Sequence, residues 1–270
     1  ADQLAVDATA SRFQPAAKPV ADNSHPAIRV NLQSCINCNL CVRACREVQV
    51  NDVIGMANRG SEFKIVFDFD DDLAASTCVS CGECVQACPT GALMPASVTS
   101  IDGVGDSLNY DRKVASVCQY CGVGCQVNYF VKDERIIYVE GRNGPANQNR
   151  LCVKGRFGAD YIHHGDRITR PLIRLPGAPK GVNTGFDLTK PQTHFREASW
   201  EEALEYAADG LRQIRDRQGR YALAGFGSAK GSNEEAYLFQ KLIRTGFGSN
   251  NVDHCTRLCH ASSVMALLEC

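Results

Sequence analysis

Two stretches of the chain carry hydrophobic patterns that predict regular secondary structure. Residues 126–142, QVNYFVKDERIIYVEGR, alternate apolar and polar side chains on both sides of a Lys-Asp-Glu turn, which predicts a β-hairpin. Residues 199–218, SWEEALEYAADGLRQIRDRQ, predict a helix. Its apolar side chains recur at helical spacing, at Ala203, Leu204, Ala207, Leu211 and Ile214. Ser199, with Glu202 three positions later, predicts a capping box at the start of that helix.

A third patterned stretch, residues 221–248, reads YALAGFGSAKGSNEEAYLFQKLIRTGFG. It predicts a buried strand, a Gly-rich turn and a helix, which is the topology of many nucleotide sites. The dinucleotide fingerprint G-x-G-x-x-G is not met, because three residues separate Gly227 from Gly231. On this pattern alone the turn is therefore structural.

Other segments lack periodicity. Residues 1–30 are rich in Ala and Pro and predict a linker or docking tail, and residues 98–111 predict a second, polar linker. No uninterrupted apolar run approaches the roughly 18 residues of a membrane-spanning helix. We therefore expect no membrane span.

The composition is that of an ordinary globular protein except in its cysteines. A net charge of −1 over 270 residues argues against a nucleic-acid-binding protein, which would carry a basic surplus. The chain has 15 cysteines, and 12 of them fall into three groups with ligand-like spacing. Such groups in a chain of this length indicate metal ligation in a reducing compartment rather than a disulfide framework. We accordingly expect a cytoplasmic location.

The first two groups repeat one spacing, C-x2-C-x2-C-x3-C, with their first cysteines 43 positions apart. Three closely spaced thiolates hold three corners of an iron–sulfur cube, and in two-cluster ferredoxins the fourth ligand comes from the other motif. The predicted ligands of the first [4Fe-4S] cluster are therefore Cys35, Cys38, Cys41 and Cys88. Those of the second are Cys78, Cys81, Cys84 and Cys45. Paired zinc ribbons would leave ligands over, because they use C-x2-C pairs with longer gaps.

The third group has a different spacing. Cys118, Cys121 and Cys125 form C-x2-C-x3-C, and Cys152 follows after a gap of 26 residues. The predicted hairpin lies in this gap and would return the chain to the starting loop. The spacing predicts a third four-cysteine site, and on spacing alone a structural zinc ion remains an alternative to a [4Fe-4S] cluster.

This third group, CQYCGVGC…LCVKGRFGADYIHHGDRITRPLIR, resembles the N-terminal iron–sulfur domain of the molybdopterin-dependent oxidoreductases. The resemblance implies that Cys118, Cys121, Cys125 and Cys152 bind a [4Fe-4S] cluster and that Lys154 lies between this cluster and the pterin. It also implies that Lys230 lies near a guanine-dinucleotide pterin.

The expected fold is α+β followed by α/β. We expect a two-cluster ferredoxin-like module at residues 31–97 and a small β-rich [4Fe-4S] domain at 112–167. Residues 168–270 would be the beginning of an α/β molybdopterin oxidoreductase domain, so the chain would be the N-terminal portion of a longer catalytic subunit.

Near the C-terminal end, residues 250–263 read NNVDHCTRLCHASS. A thiol nucleophile paired with the adjacent histidine is disfavoured, because neighbouring side chains on a helix do not face each other. The segment resembles the active-site segment of formate dehydrogenases, in which the residue at the position of Cys259 binds molybdenum or tungsten and His260 follows it. Cys255 and Cys270 are interpreted as structural cysteines.

This resemblance implies oxidation of formate to CO2 at a bis-molybdopterin guanine dinucleotide centre, with Cys259 as metal ligand and His260 as proton acceptor. Three [4Fe-4S] clusters would carry the electrons to a flavin- and NAD-binding partner subunit with further iron–sulfur clusters. Two alternatives remain open. A nitrate reductase would carry Met at position 260, and an electron-transfer subunit like that of respiratory complex I would not need the Cys259–His260 pair.

Overall fold

The computed structural model describes residues 20–99, 109–181, 185–187 and 189–269. Most of the predicted tail and of the polar linker, and Cys270, lie outside these residues. The chain divides into two compact units. The first unit comprises Ala1–Val117 and Cys125–Ala159, and the second comprises Cys118–Gly124 and Asp160–Cys270. Both contain helices and small sheets.

Four short strands form two antiparallel pairs in the first unit. Strand β1 (Ile28–Val30) pairs with β4 (Leu93–Pro95), and β2 (Ile54–Ala57) pairs with β3 (Lys64–Phe67). Each pair is too short to be stable alone, so its order depends on what packs against it. Ile28 is fully buried in the core.

The predicted boundary at residue 30 therefore falls inside the folded module. Val30 is buried, and its backbone exchanges hydrogen bonds of 2.8 and 3.0 Å with Asp22. The Asp22 carboxylate also accepts a hydrogen bond from the backbone N–H of Leu73. The ferredoxin-like module thus begins before residue 31, because these residues close its core.

Two short helices follow the cysteine loops at equivalent positions of the duplicated sequence. Helix α1 (Leu40–Arg43) begins after Asn39, and α2 (Glu83–Ala87) begins after Gly82. Asn39 has φ 65° and Gly82 has φ 73°, so both occupy the left-handed region. A π-helical turn, Ala44–Val48, continues α1. The repeated backbone conformation agrees with an internal duplication.

The core of this module draws on both repeats. Its buried apolar and cysteine side chains are Ile28, Val30, Cys41, Val42, Cys45, Val53, Ile54, Ile65, Phe67, Leu73, Cys84, Val85 and Leu93. Three of these residues are cysteines of the predicted cluster sites, so the core and the sites share a common interior.

The rest of the first unit contains a three-stranded antiparallel sheet. Its strands are β5 (Arg112–Val117), β6 (Gln126–Lys132) and β7 (Arg135–Gly141), in the order β5-β6-β7. Asp133 and Glu134 connect β6 to β7 with φ values of 48° and 59°, as a two-residue hairpin turn requires. The predicted hairpin is confirmed. Helix α3 (Val153–Phe157) follows.

The second unit contains a long helix, α4 (Trp200–Gln218), after the antiparallel strands β8 (Leu172–Arg174) and β9 (Phe195–Glu197). The predicted helix is confirmed, and the Ser199 hydroxyl accepts the backbone N–H of Glu202 at 3.1 Å.

The predicted capping box at this helix is only half formed. The Glu202 carboxylate pairs with the guanidinium of Arg196. The predicted apolar face is also largely uncovered, since Leu204 is 63% exposed and no residue of α4 is buried.

The Gly-rich stretch folds as a strand, a turn and a helix, as predicted. Strand β10 (Gly225–Gly227) leads to α5 (Asn233–Lys241), and β11 (Val252–His254) then pairs with β10 in parallel. Ser232 and Glu235 form a complete capping box. The strand is less buried than predicted, because Phe226 is 83% exposed.

Two further helices, α6 (Thr256–Cys259) and α7 (Ala261–Glu269), complete the described chain. Within the described ranges, no helix has the length and apolar character needed to cross a membrane.

Candidate functional site

The two cysteine loops of the first unit have the same local geometry. The backbone N–H of Asn37 donates to the sulfur of Cys35 at 3.4 Å, and that of Ser80 donates to Cys78 at 3.3 Å. Asn37 and Ser80 have φ values of 55° and 56°. Each loop therefore curls around its first sulfur and directs a backbone N–H towards it. Hydrogen bonds of this kind tune the potential of a cluster held by such sulfurs.

One pocket of the first unit is lined by all four cysteines predicted to bind the first cluster, Cys35, Cys38, Cys41 and Cys88. The pKa of the Cys41 thiol is raised to about 11. Burial is the main cause, and the neighbouring Cys35, Cys88 and Cys38 also raise it. The Cys88 sulfur comes from the second motif, as the crossed assignment requires. The structure thus brings these four sulfurs to one place.

The four cysteines predicted for the second cluster also lie close together. Burial raises the pKa of Cys84 well above its usual range, and Cys81, Cys78, Cys41 and Cys45 act in the same direction. Burial likewise raises the pKa of Cys78, with a further contribution from Cys45. Cys45 is buried and accepts the backbone N–H of Val53 at 3.4 Å. Cys45 therefore lies with the second motif, although it belongs to the first.

The chemistry of these donor sets fits iron–sulfur clusters. None of the eight cysteines is in a disulfide, and binding to iron would replace their protons and offset the repulsion between neighbouring thiolates. Across the described ranges, no three His, Cys, Asp or Glu side chains converge on one point as the ligands of a single ion would. In a cube each thiolate binds a different iron, so its four ligands stand further apart than those of one ion.

The cysteines of the third group are divided between the two units. Cys118, which is buried, and Cys121, which is exposed, belong to the second unit. Cys125 and Cys152 belong to the first unit, where Cys152 is the N-terminal cap of α3. Lys154 lies on α3 and is exposed. Joint ligation by these four cysteines stays a prediction.

A pocket of about 540 Å³ lies in the second unit at the carboxyl ends of the parallel strands β10 and β11. Ligands of α/β proteins bind at this edge of a parallel sheet. Lys230 lines the pocket, and its ammonium lies 5.2 Å from the ring centre of Tyr120 and 5.8 Å from that of Tyr161. Asp253 and His254 line it from β11. The pocket is large enough for part of an extended ligand.

Cys255 connects the Gly-rich turn to the segment that carries Cys259. Its sulfur accepts the backbone N–H of Ala229 at 3.1 Å. The adjacent His254 accepts the backbone N–H of Thr256 on Nδ1, also at 3.1 Å. Both contacts fix the backbone where α6 begins, so they agree with the structural role interpreted for Cys255.

Cys259 and His260 lie at the end of α6 and are exposed. The backbone N–H of Cys259 donates to the carbonyl of Cys255 at 2.9 Å, and that of His260 donates to Thr256 at 3.0 Å. Neither Cys259 nor His260 is among the described residues that line the pocket at the ends of β10 and β11. The structure therefore places the pair one helical turn beyond the anchored Cys255, on accessible surface.

Sequence reasoning missed a buried polar cluster in the first unit. Arg156, two positions after Lys154, has no exposed side-chain surface and pairs with Glu83 at 2.7 Å. Gln86 accepts a second hydrogen bond from Arg156 at 2.8 Å. The available signal was Glu83 itself, a charged residue between the closely spaced cysteines of the second motif.

Comparisons with known families assign the segments of the chain. A 4Fe-4S dicluster domain matches residues 34–92, a molybdopterin oxidoreductase Fe4S4 domain matches 111–164, and a molybdopterin oxidoreductase domain matches 167–269. Residues 111–269 thus resemble, almost without interruption, two successive domains of molybdopterin oxidoreductases.

Individual relatives cover almost the whole chain. It is 33% identical over 93% of its length to "Putative formate dehydrogenase SH0748" of Staphylococcus haemolyticus, and 34% identical over 91% to "Probable oxidoreductase YjgC" of Bacillus subtilis. The chain spans 27% of the length of each of these curated relatives. Among solved structures, it is similar to acetylene hydratase from Pelobacter acetylenicus, with a TM-score of 0.41 and 22% identity over 55% of this chain and 19% of that one.

Proposed function

We propose that this chain is the N-terminal portion of the catalytic subunit of a molybdenum- or tungsten-dependent formate dehydrogenase, which oxidises formate to CO2. The observation that carries the proposal is the Cys259–His260 pair. It stands exposed at the end of α6, one turn beyond the anchor that joins Cys255 to the Gly-rich turn. The name of the staphylococcal relative supports the choice of formate.

Cys259 is the proposed metal ligand. A thiolate is a soft donor and suits a thiol-rich molybdenum or tungsten centre. His260 is the proposed proton acceptor, because imidazole is suited to proton transfer at neutral pH. The bound centre, a bis-molybdopterin guanine dinucleotide, would supply the two-electron redox chemistry. The protein would orient formate and take up its proton.

The pocket at the ends of β10 and β11 is the proposed location of part of this pterin. Lys230 would contact it there, because an ammonium between two tyrosine rings offers positive charge to a pyrophosphate. The capped N-terminus of α5 lines the same pocket through Glu235. This carboxylate is occupied by the backbone N–H of Ser232 at 2.6 Å, which limits its repulsion of an anion.

The proposed electron route uses three [4Fe-4S] clusters. Lys154 would lie between the pterin and the third cluster, which Cys118, Cys121, Cys125 and Cys152 would hold. The two clusters of the ferredoxin-like module, with the crossed ligand sets described above, would follow. A cytoplasmic partner subunit with flavin, NAD and further iron–sulfur clusters would accept the electrons.

The test is formate-dependent dye reduction by the intact protein, combined with metal analysis. We expect molybdenum or tungsten together with about 12 iron atoms per chain. Cys259→Ala should abolish formate oxidation, whereas the matched variant Cys255→Ser should retain it, since a serine oxygen can still accept the Ala229 N–H. His260→Gln should slow turnover by about 10²–10⁴-fold.

Two results would overturn the proposal. Iron without molybdenum or tungsten would indicate an electron-transfer subunit. Nitrate reduction without formate oxidation would indicate a nitrate reductase.

A further inference from the structure

Arg156 is among the largest fully buried side chains of the described residues, and each of its three guanidinium nitrogens donates a hydrogen bond to the second cysteine motif. Its Nε donates to the backbone carbonyl of Cys81 at 2.7 Å. One terminal nitrogen donates to Gln86 at 2.8 Å and the other to Glu83 at 2.7 Å. Three hydrogen bonds from one planar guanidinium therefore fix the position of the second cysteine motif relative to α3.

The acceptors of Arg156 also bind the backbone at the start and at the end of the segment that follows the hairpin. Glu83 Oε1 accepts the N–H of Leu151 at 2.9 Å, directly before Cys152. Gln86 Oε1 accepts the N–H of Gly141, at the end of β7, at 3.2 Å. The loop that carries Cys81 and the loop that carries Cys152 are thus held together by one polar cluster.

The packing around this cluster leaves no spare room. Gly82 has φ +73°, and a Cβ atom built on it would lie 2.1 Å from Cδ of Arg156. Tyr138 packs beside the guanidinium, and burial raises the pKa of its hydroxyl to about 12, although Arg156 acts in the opposite direction. The charge is therefore enclosed by protein rather than by water.

Because Arg156 and Glu83 are buried, their charges act over a longer distance than charges at the surface do. The side chains of Arg156 and Glu83 are 0% and 8% exposed, so solvent screens their fields weakly. Both reach a predicted cluster ligand. Arg156 Nε donates to the carbonyl of Cys81 at 2.7 Å, and Glu83 lies between Cys81 and Cys84 in the sequence. The two charges therefore act on one sulfur with opposite signs.

We propose that Arg156 and Glu83 are positioning residues that lock the Cys81 loop to the Cys152 loop and set the reduction potential of the second cluster. The proposal rests on the proposed ligand set of Cys78, Cys81, Cys84 and Cys45. Reduction adds negative charge to a cluster, so the guanidinium favours the reduced form and the carboxylate opposes it.

The experiment is a redox titration of the intact protein, purified anaerobically and followed by electron paramagnetic resonance. The signal altered in Cys78→Ser is assigned to the second cluster. Arg156→Met should shift the potential of this signal to more negative values, and Glu83→Gln should shift it to more positive values. A purely structural role gives no reason for shifts of opposite sign.

Three further variants keep the test decisive when a single change disturbs folding. The double variant Arg156→Met/Glu83→Gln removes both charges and should return the potential towards that of the wild type. Arg156→Lys keeps the positive charge but loses the planar guanidinium. The reduction potential of the second cluster in this variant should lie closer to the wild-type value than it does in Arg156→Met. Arg46→Met removes a charge next to the ligand Cys45. The Arg46–Asp52 pair is 58% and 61% exposed, so solvent screening should leave the potential nearly unchanged.

Shifts of equal sign in the two single variants, or an equal shift in Arg46→Met, would overturn the inference. A wild-type protein with no [4Fe-4S] signals at all would instead refute the proposed cluster sites. The two failures are therefore distinguishable.

Discussion

The ferredoxin-like module and the long helices of the second unit use their apolar residues in opposite ways. In the module, elements of three to five residues bury side chains such as Ile28 and Leu93, which are at most 2% exposed. In the second unit, the 19-residue α4 has no buried residue, and Trp200 and Leu204 are 65% and 63% exposed. The short elements of the module thus depend on tertiary contacts for their order, whereas the apolar face of α4 is left largely uncovered by the described residues.

The largest expected effect is the loss of a ligand in the buried module. Cys84→Ser should remove the second cluster and lower the iron content by about four atoms per chain. Iron and sulfide analysis of the intact protein measures this loss. Cys255→Ser in the second unit is the matched control and should leave the iron content unchanged. Equal iron in both variants would contradict the ligand set.

A smaller but still large effect is expected in the apolar core. Ile28→Ala should lower the free energy of unfolding by about 2–5 kcal/mol, because it leaves a cavity in the core of the module. Leu204→Ala on the exposed face of α4 should change it by no more than about 0.5 kcal/mol. Urea unfolding of the 270-residue chain with its clusters measures both. Similar losses in the two variants would remove the contrast between the regions.

The helix caps of the second unit should have intermediate effects. Ser232→Ala breaks the complete capping box of α5 and should cost about 1 kcal/mol, which corresponds to roughly fivefold faster amide exchange in its first turn. Ser199→Ala breaks only a one-sided cap and should accelerate exchange in α4 less. Hydrogen exchange resolved by peptide measures the two helices in one sample. A larger effect at Ser199 would show that the reciprocal bond adds nothing.

The smallest expected effect is a pH dependence confined to the module. Burial lowers the pKa of His25, Asp22 raises it and Arg29 lowers it, with a net decrease from 6.5. The unfolded chain therefore binds the His25 proton more tightly than the folded chain does. The stability that neutral His25 contributes is present above pH 6.5 and is lost as the pH falls below that value. His25→Asn should flatten the melting temperature between pH 7 and 5. His25 Nδ1 accepts the backbone N–H groups of Ala27 and Ile28, each at 3.1 Å, and an asparagine oxygen can still accept them.

The exposed His164 of the second unit provides the control for this pH dependence. His164→Asn should keep the wild-type slope of melting temperature against pH. A flattened slope in this variant would show that the pH dependence does not come from His25 in the module.

Local patterns sufficed for the elements whose determinants are close in sequence. The hairpin β6–β7 and the helix after Ser199 were predictable because alternation, a two-residue turn and a cap act within a few residues. The proximity of Cys88 to the first motif was expected from the repeated spacing, and the structure brings these sulfurs to one pocket.

Contacts between distant residues could not be predicted in this way. Arg156 and Glu83 are 73 positions apart, and no periodicity connects them. The N-terminal boundary was misplaced for the same reason. His25 bonds Ser80 at 2.9 Å across 55 positions, so a segment without pattern still belongs to the module. The role of the Cys259–His260 pair stays a prediction from resemblance.

The contact between Gly82 and Arg156 has a consequence for how such sequences change over generations. A side chain at position 82 would have to occupy the space of the Arg156 methylene groups. Relatives that replace this glycine should therefore also carry a shorter residue at position 156 and a neutral one at position 83. Positions 82, 83 and 156 are therefore expected to covary among relatives, even though two of them lie in one sequence motif and the third in another.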